Sequence, residues 1–223
     1  MWTAVFGPWV GDYRIDQWPL MSSPLPTVLL TLAYLYFVTV AGPKLMKHRE
    51  PFTLRVPMIV YNFSIMLLNA KIFLNAGLYG WFGHYSWRCA EIDPAVNDMT
   101  SGMVVAAWCF YFSKNIELLD TVFFVLRKKT GQVTLLHTVH HSLLPISCWL
   151  AIKYVPVGHA SFMGFTNSFT HILMYGYYAL AACGPAVAPY LLWKRYLTRI
   201  QMIQFAAMFV HSVQVGIRLI DFA

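Results

Sequence analysis

Histidines 137, 140 and 141 stand at i, i+3 and i+4 in the stretch Thr134-Leu135-Leu136-His137-Thr138-Val139-His140-His141-Ser142-Leu143-Leu144-Pro145. On a helix that spacing puts three imidazoles on one face within a turn. Upstream, Lys114, Glu117 and Asp120 recur every third residue. Downstream, Asn167 and His171 are i, i+4 neighbours, Met174, Tyr175 and Tyr178 continue that side, and Gln201 and Gln204 follow one turn apart. The triplet suits either of two chemistries. Neutral imidazoles one turn apart can share a metal ion. Alternatively, a histidine whose tautomer is set by a second imidazole or a carboxylate can act as acid, base or nucleophile.

The spacing HxxHH is that of membrane di-iron oxygenases, which need several such boxes. Of the eight histidines here, His48, His84 and His159 fall in loops or at span ends. Only the triplet, His171 and His211 are left to converge, and ligands run short. Acid-base or nucleophilic work asks for less. The other residues have bland readings as well. Lys114 and Glu117 suit a salt bridge that fixes helix packing, while Asp120 lies closer to the histidines. Asn167, the tyrosines and the two glutamines suit interhelical hydrogen bonds, and His211 lies far from the rest.

The chain that carries these groups has 223 residues, 58% hydrophobic, 17% aromatic and 11% charged. Soluble domains carry about 25% charged residues. With a mean hydropathy of +0.55, this is an all-α integral membrane composition. The length suits a polytopic bundle of about six spans at ~20 residues each. The net charge of +7 then reports topology before anything else, and no basic run interleaved with aromatics suggests nucleic acid. Cys89, Cys109, Cys148 and Cys183 show no CxxC spacing. Three of them sit in apolar segments, whereas Cys89 lies in a polar loop where an oxidising lumen would allow a disulfide. Residues 1–20 contain Asp12, Arg14 and Asp16 and do not read as a cleavable signal peptide.

Hydropathy predicts spans over Pro24–Gly42, Pro57–Gly80, Gly102–Leu126, Val133–Tyr154, Ser161–Ala182 and Leu197–Ile217. The loops 43–56, 127–132 and 183–199 are basic; 81–101 and 153–160 are not. The positive-inside rule assigns the basic loops to the cytosol and the N-terminus to the opposite side. Glu117, Asp120 and the histidine triplet then lie in the inner half of the membrane, His171 near mid-depth, and Gln201 and Gln204 near the cytosolic start of the last span. Charged groups at such depth are costly and face a bundle interior or a wet cavity. Arg127, Lys128, Lys129, Lys194, Arg195 and Arg199 are topology signals that also suit a polyphosphate such as a coenzyme A headgroup.

Four of these patterns together resemble the ELO family of very-long-chain fatty acid elongases, animal type. They are Lys114-x-x-Glu117-x-x-Asp120-Thr121, His137-x-x-His140-His141, Asn167-x-x-x-His171-x-x-Met174-Tyr175-x-Tyr177-Tyr178 and Thr198-x-x-Gln201-x-x-Gln204-Phe205. The resemblance implies a 3-oxoacyl-CoA synthase of the endoplasmic reticulum, with its active site opening to the cytosol. It would condense long-chain acyl-CoA with malonyl-CoA, releasing CO2 and CoA, with no cofactor and no metal. His140 would be the nucleophile that forms an acyl-histidine, His137 and His141 would orient it, and His171 would face it across an acyl tunnel. Lys114, Glu117, Asp120, Asn167, Tyr175, Tyr178, Gln201, Gln204, Arg127, Lys128, Lys194 and Arg195 would bind substrate.

The partners implied are the two CoA thioesters, the lipid bilayer, the ketoreductase, dehydratase and enoyl reductase of the elongation cycle, and homo-oligomers. Family members have a seventh span and a Lys-rich tail, so residues 1–223 read as a single C-terminally truncated transmembrane domain. Cys89 would pair with a cysteine beyond Ala223. The alternatives are a di-iron fatty acid desaturase or hydroxylase and, without catalysis, a channel or receptor.

Overall fold

In the computed structural model, residues 11–87 and 97–221 are described. Cys89 and the acidic residues Glu91 and Asp93 of the second loop lie outside them. Among the described residues the chain is helical, with no strand. A short helix, α1 (Tyr13–Asp16), precedes α2 (Leu25–Met46), α3 (Arg55–Trp81), α4 (Asp98–Ile116) and α5 (Leu118–Leu126). Then come α6 (Leu135–Tyr154), α7 (Ser161–Ala182) and α8 (Lys194–Asp221). The protein is a polytopic helical membrane protein. Helices α2, α3 and α6, and the stretch Pro189–Ile217, are long and apolar enough to cross a membrane by length and composition.

The two remaining predicted spans differ for physical reasons. The third is not one helix but two, meeting at Glu117. The Glu117 amide still bonds the Ser113 carbonyl at 2.8 Å, but Asp120 N–H then reaches back only three residues, to the Glu117 carbonyl at 3.1 Å. That tight turn changes the direction in which α5 presents Asp120 and Thr121. The fifth, α7, is long enough but carries Thr166, Asn167, Ser168, Thr170 and His171 in its middle.

The most extensive helix pairing is α3 against α7. Helix α4 packs on α3 and α6, α2 on α6, and α8 on α7. Outward stripes such as Leu29, Leu32, Val60, Leu67, Leu143, Phe209 and Val210 are exposed, as a hydrocarbon-facing surface requires. Close approach is enforced where α2 meets α5. A wide turn at Phe37–Ala41 precedes Gly42, and a Cβ there would sit 2.6 Å from Val125 Cγ1. Helix α4 opens on a capping box: Asn97 Oδ1 accepts from Thr100 N–H at 2.9 Å, and Thr100 Oγ1 accepts from Asn97 N–H at 3.0 Å. Helix α6 opens on Thr134, whose hydroxyl accepts the His137 amide at 3.2 Å. The cap thereby fixes the turn that carries the first box histidine.

At the end of the bundle opposite the basic loops, residues 11–23 form a strap across α4 and α6. Asp12 N–H bonds the Lys153 carbonyl at 2.8 Å. Trp108 and Trp149 donate their indole N–H groups to the carbonyls of Pro19 and Leu20, at 3.0 and 2.9 Å. Lys153 also pairs with Asp16, and Ile15 and Met21 are fully buried. Burial alone pushes the Asp12 carboxyl up, but its hydrogen bonds with Arg14 and the guanidinium charge prevail and hold it below its ordinary value.

Candidate active site

Polar side chains converge in the half of the bundle nearer the basic loops. Lys114 and Glu117 are each 1% exposed and form a buried ion pair, Nζ to the two carboxylate oxygens at 2.8 and 2.9 Å. His171 Nε2 lies 3.4 Å from Glu117 Oε2. The other ring nitrogen, Nδ1, is 2.9 Å from the backbone carbonyl of Asn167. A carbonyl only accepts, so Nδ1 carries the hydrogen. In the neutral ring Nε2 then holds a lone pair beside a carboxylate, an arrangement suited to taking up and returning a proton.

The box histidines stand on α6, which packs against α4. His137 and His141 rings are 4.3 Å apart, and His140 and His141 rings 5.5 Å, centroid to centroid. His137 and His141 are half-buried, whereas His140 is exposed. His137 Nε2 is 2.9 Å from Thr121 Oγ1, which is 2.9 Å from the Tyr34 hydroxyl. These atoms form a chain that can run in either sense; in one, Tyr34 donates to Thr121 and Thr121 to an unprotonated Nε2. Pro145, four residues after His141, lacks the amide that would bond the His141 carbonyl. The helix ladder is therefore opened at the box itself.

Asp120 does not extend the Lys114–Glu117 pair. The turn at Glu117 aims it elsewhere, and it accepts the Tyr175 hydroxyl at 2.5 Å. Tyr178 packs edge-on against Tyr175. Gln201 donates to Met174 Sδ at 3.6 Å, and the buried Gln204 to Met208 Sδ at 3.2 Å. Asn167 Oδ1 is buried with no protein partner, an acceptor left over for a ligand. The basic residues lie apart from this cluster. Arg127 donates to Met58 Sδ at 3.1 Å, Lys128 and Lys194 are exposed, and Arg195 lies 5.0 Å from the Tyr196 ring centroid. His211 sits elsewhere again, among Trp81, His159 and Phe162.

Two contributors are not singled out by residue type. Thr121 and Tyr34 bind the box, yet a threonine and a tyrosine in apolar segments give no signal of their own. The Asp120-Thr121 pair is visible only as part of a pattern. Among the described residues, no three His, Cys, Asp or Glu side chains are grouped to hold a metal ion.

Fold and site together define a polytopic helical membrane protein with a buried Lys114–Glu117 pair beside a half-buried His171. Comparison with known proteins agrees. The family model described as ELO, the GNS1/SUR4 family, matches residues 19–220. The chain is similar to very long chain fatty acid elongase 1 of Homo sapiens, 49% identical over 203 residues, 91% of this chain and 73% of the relative. It is also similar to a very long chain fatty acid elongase of Aedes aegypti, 50% identical over 205 residues, 92% of this chain and 57% of the relative. With very long chain fatty acid elongase 7 of Drosophila melanogaster it is 47% identical over 203 residues, 91% of this chain and 62% of the relative. The chain thus spans less than two thirds of the length of the two insect relatives. It belongs to the ELO family.

Proposed function

We propose that this protein acts in fatty acid elongation as a condensing enzyme, joining a long-chain acyl-CoA to malonyl-CoA. The observation that carries this reading is a box of three histidines with clustered rings on α6, a helix packed against α4, whose end carries the buried Lys114–Glu117 pair beside His171. An imidazole nitrogen of His140 attacks the acyl thioester carbonyl, the C–S bond breaks, and CoA leaves as thiolate, to be protonated. Malonyl-CoA then loses CO2, and the carbanion left at its C2 attacks the acyl-imidazole carbonyl. A C–C bond forms, the C–N bond breaks, and His140 is returned. Splitting one hard substitution into two easier ones is what a covalent intermediate offers.

The neighbours have matching roles. His137, held through Thr121 to Tyr34, fixes the box. His141, packed between His137 and His140, orients the nucleophile. His171, its Nδ1–H committed to a carbonyl, handles a proton at Nε2 or steadies the enolate of decarboxylated malonyl-CoA. Asp120 with Tyr175, together with Asn167, Tyr178, Gln201 and Gln204, lines the path of the thioester. Arg127, Lys128, Lys194 and Arg195 suit the CoA phosphates at the basic end. In this reading the basic end faces the cytosol from the endoplasmic reticulum membrane, near the other enzymes of the elongation cycle. No step calls for a cofactor.

The test is intact mass after incubating the purified protein with an acyl-CoA alone. A gain of one acyl group, absent in His140→Ala and discharged by malonyl-CoA, is the expected result. Product formation with no adduct at any time would refute the covalent route and make His140 an acid-base residue.

A further inference from the structure

Helix α3 carries a charge where a membrane helix cannot easily keep one. Lys71 stands sixteen positions after Arg55 and ten before Trp81, near the middle of this 27-residue span. At ~1.5 Å per residue it lies roughly 24 Å from one end of the helix and roughly 15 Å from the other. The hydrocarbon core is about 30 Å thick, so the residue lies well inside it. A four-carbon stem of about 6 Å reaches neither surface. Its direction is unfavourable as well, because helix side chains tilt toward the N-terminus, which for Lys71 is the longer way out. Yet Lys71 is exposed, not turned into the bundle as a charge at that depth ordinarily is.

The face on which it stands is otherwise almost wholly apolar. Val60, Leu67, Leu74 and Leu78 are exposed on α3 together with Ser64 and Lys71. From Val60 to Leu78 these residues are spaced alternately by four and three, the repeat of one helix laid along another at a shallow crossing angle. A single polar residue within such a seam fixes register and the choice of partner. The bundle offers Lys71 no answering charge of its own. Glu117 is held by Lys114 and Asp120 by Tyr175, and no described carboxylate pairs with Lys71. At that depth a second copy of the chain brings the same two carboxylates, already engaged. We propose that this face of α3 docks a transmembrane helix of another protein that carries a single carboxylate near mid-depth. The Lys71 ammonium donates to that carboxylate, and each group relieves the other of its exposure to lipid. Docking there calls on none of the residues assigned to condensation.

The test uses the purified protein in phosphatidylcholine vesicles with synthetic polyleucine helices of ~20 residues, long enough to span. One peptide is leucine throughout, one carries a central Glu, and one carries its Glu a turn from the end. Binding is read as energy transfer from the protein's tryptophans to a dansyl group on the peptide, in wild type, Lys71→Arg and Lys71→Met. The central-Glu peptide binds wild type about tenfold more tightly than the leucine peptide, the worth of one strong interhelical hydrogen bond. The peptide with the displaced Glu gains less than about threefold. Lys71→Arg keeps the preference and Lys71→Met abolishes it, while the Tm of Lys71→Met stays at the wild-type value, so that lost binding is not lost folding. Equal binding of all three peptides to wild type, or the same preference in Lys71→Met, overturns the docking face. Enrichment of anionic lipid beside wild type but not beside Lys71→Met, with no preference among the peptides, assigns the ammonium to lipid headgroups and overturns it too.

Discussion

Glu117→Gln removes the negative partner of Lys114 while keeping shape. Both groups are 1% exposed, and the carboxylate takes both hydrogen bonds from the ammonium. Breaking a buried pair from one side strands the other charge, at a cost of about 3–5 kcal/mol. For a chain of this size, 1 kcal/mol moves Tm by about 2–4 °C, so the loss is roughly 6–20 °C. Lys114→Met alone is milder, because His171 still faces the carboxylate at 3.4 Å. Lys114→Met combined with Glu117→Leu removes both charges and recovers most of the loss, since apolar replacements of buried pairs are commonly neutral or better. The assay is apparent Tm by intrinsic tryptophan fluorescence in detergent micelles at one scan rate, read as a double-mutant cycle. Acyl-CoA condensation is measured alongside. The double variant is folded but inactive, because His171 has lost its carboxylate. A Glu117→Gln protein within about 2 °C of wild type, or a double variant worse than the sum of the singles, would refute the reasoning.

Two further outcomes are expected. Thr121→Val leaves the Tyr34 hydroxyl and His137 Nε2 without the oxygen they share; the loss is about 1–3 kcal/mol of stability together with reduced condensation, whereas Thr121→Ser retains both bonds and behaves as wild type. At the strap, the Asp12 carboxyl is held below its ordinary value, so what it contributes to docking is complete above about pH 4 and is lost as pH falls through the lowered value. Emission from Trp18 and Trp108, whose rings lie 4.8 Å apart, therefore changes at acid pH in wild type, and Arg14→Gln moves that change to higher pH; an unchanged midpoint would sink this account.

What the sequence reveals follows from contrast. Polar residues in apolar segments stand out because burying them in hydrocarbon is expensive. His137, His140, His141, Glu117, Asp120 and His171 are therefore legible from residue type and spacing alone, and so is the class of fold. What depends on how helices turn is not. The i, i+3, i+6 recurrence of Lys114, Glu117 and Asp120 suggests one stripe on one helix. The chain instead tightens at Glu117, sending Asp120 to Tyr175 and leaving Glu117 to Lys114 and His171. Thr121 and Tyr34 are hidden for the opposite reason: their types are ordinary in a membrane helix, and only packing of α2 on α5 and α6 brings their oxygens to a histidine.

The same limit applies to Phe110 and Gly164. A phenylalanine and a glycine fifty-four positions apart announce nothing until α4 and α7 are laid side by side. Once they are, the Phe110 ring has the Lys114 ammonium 4.8 Å from its centroid and the Gly164 backbone on another side. The chemistry of this protein is thus readable from residues that resist the membrane. What braces those residues, Tyr34 against Thr121 and Phe110 beside the Lys114 ammonium, suits the membrane well, and so only the packing of the helices reveals it.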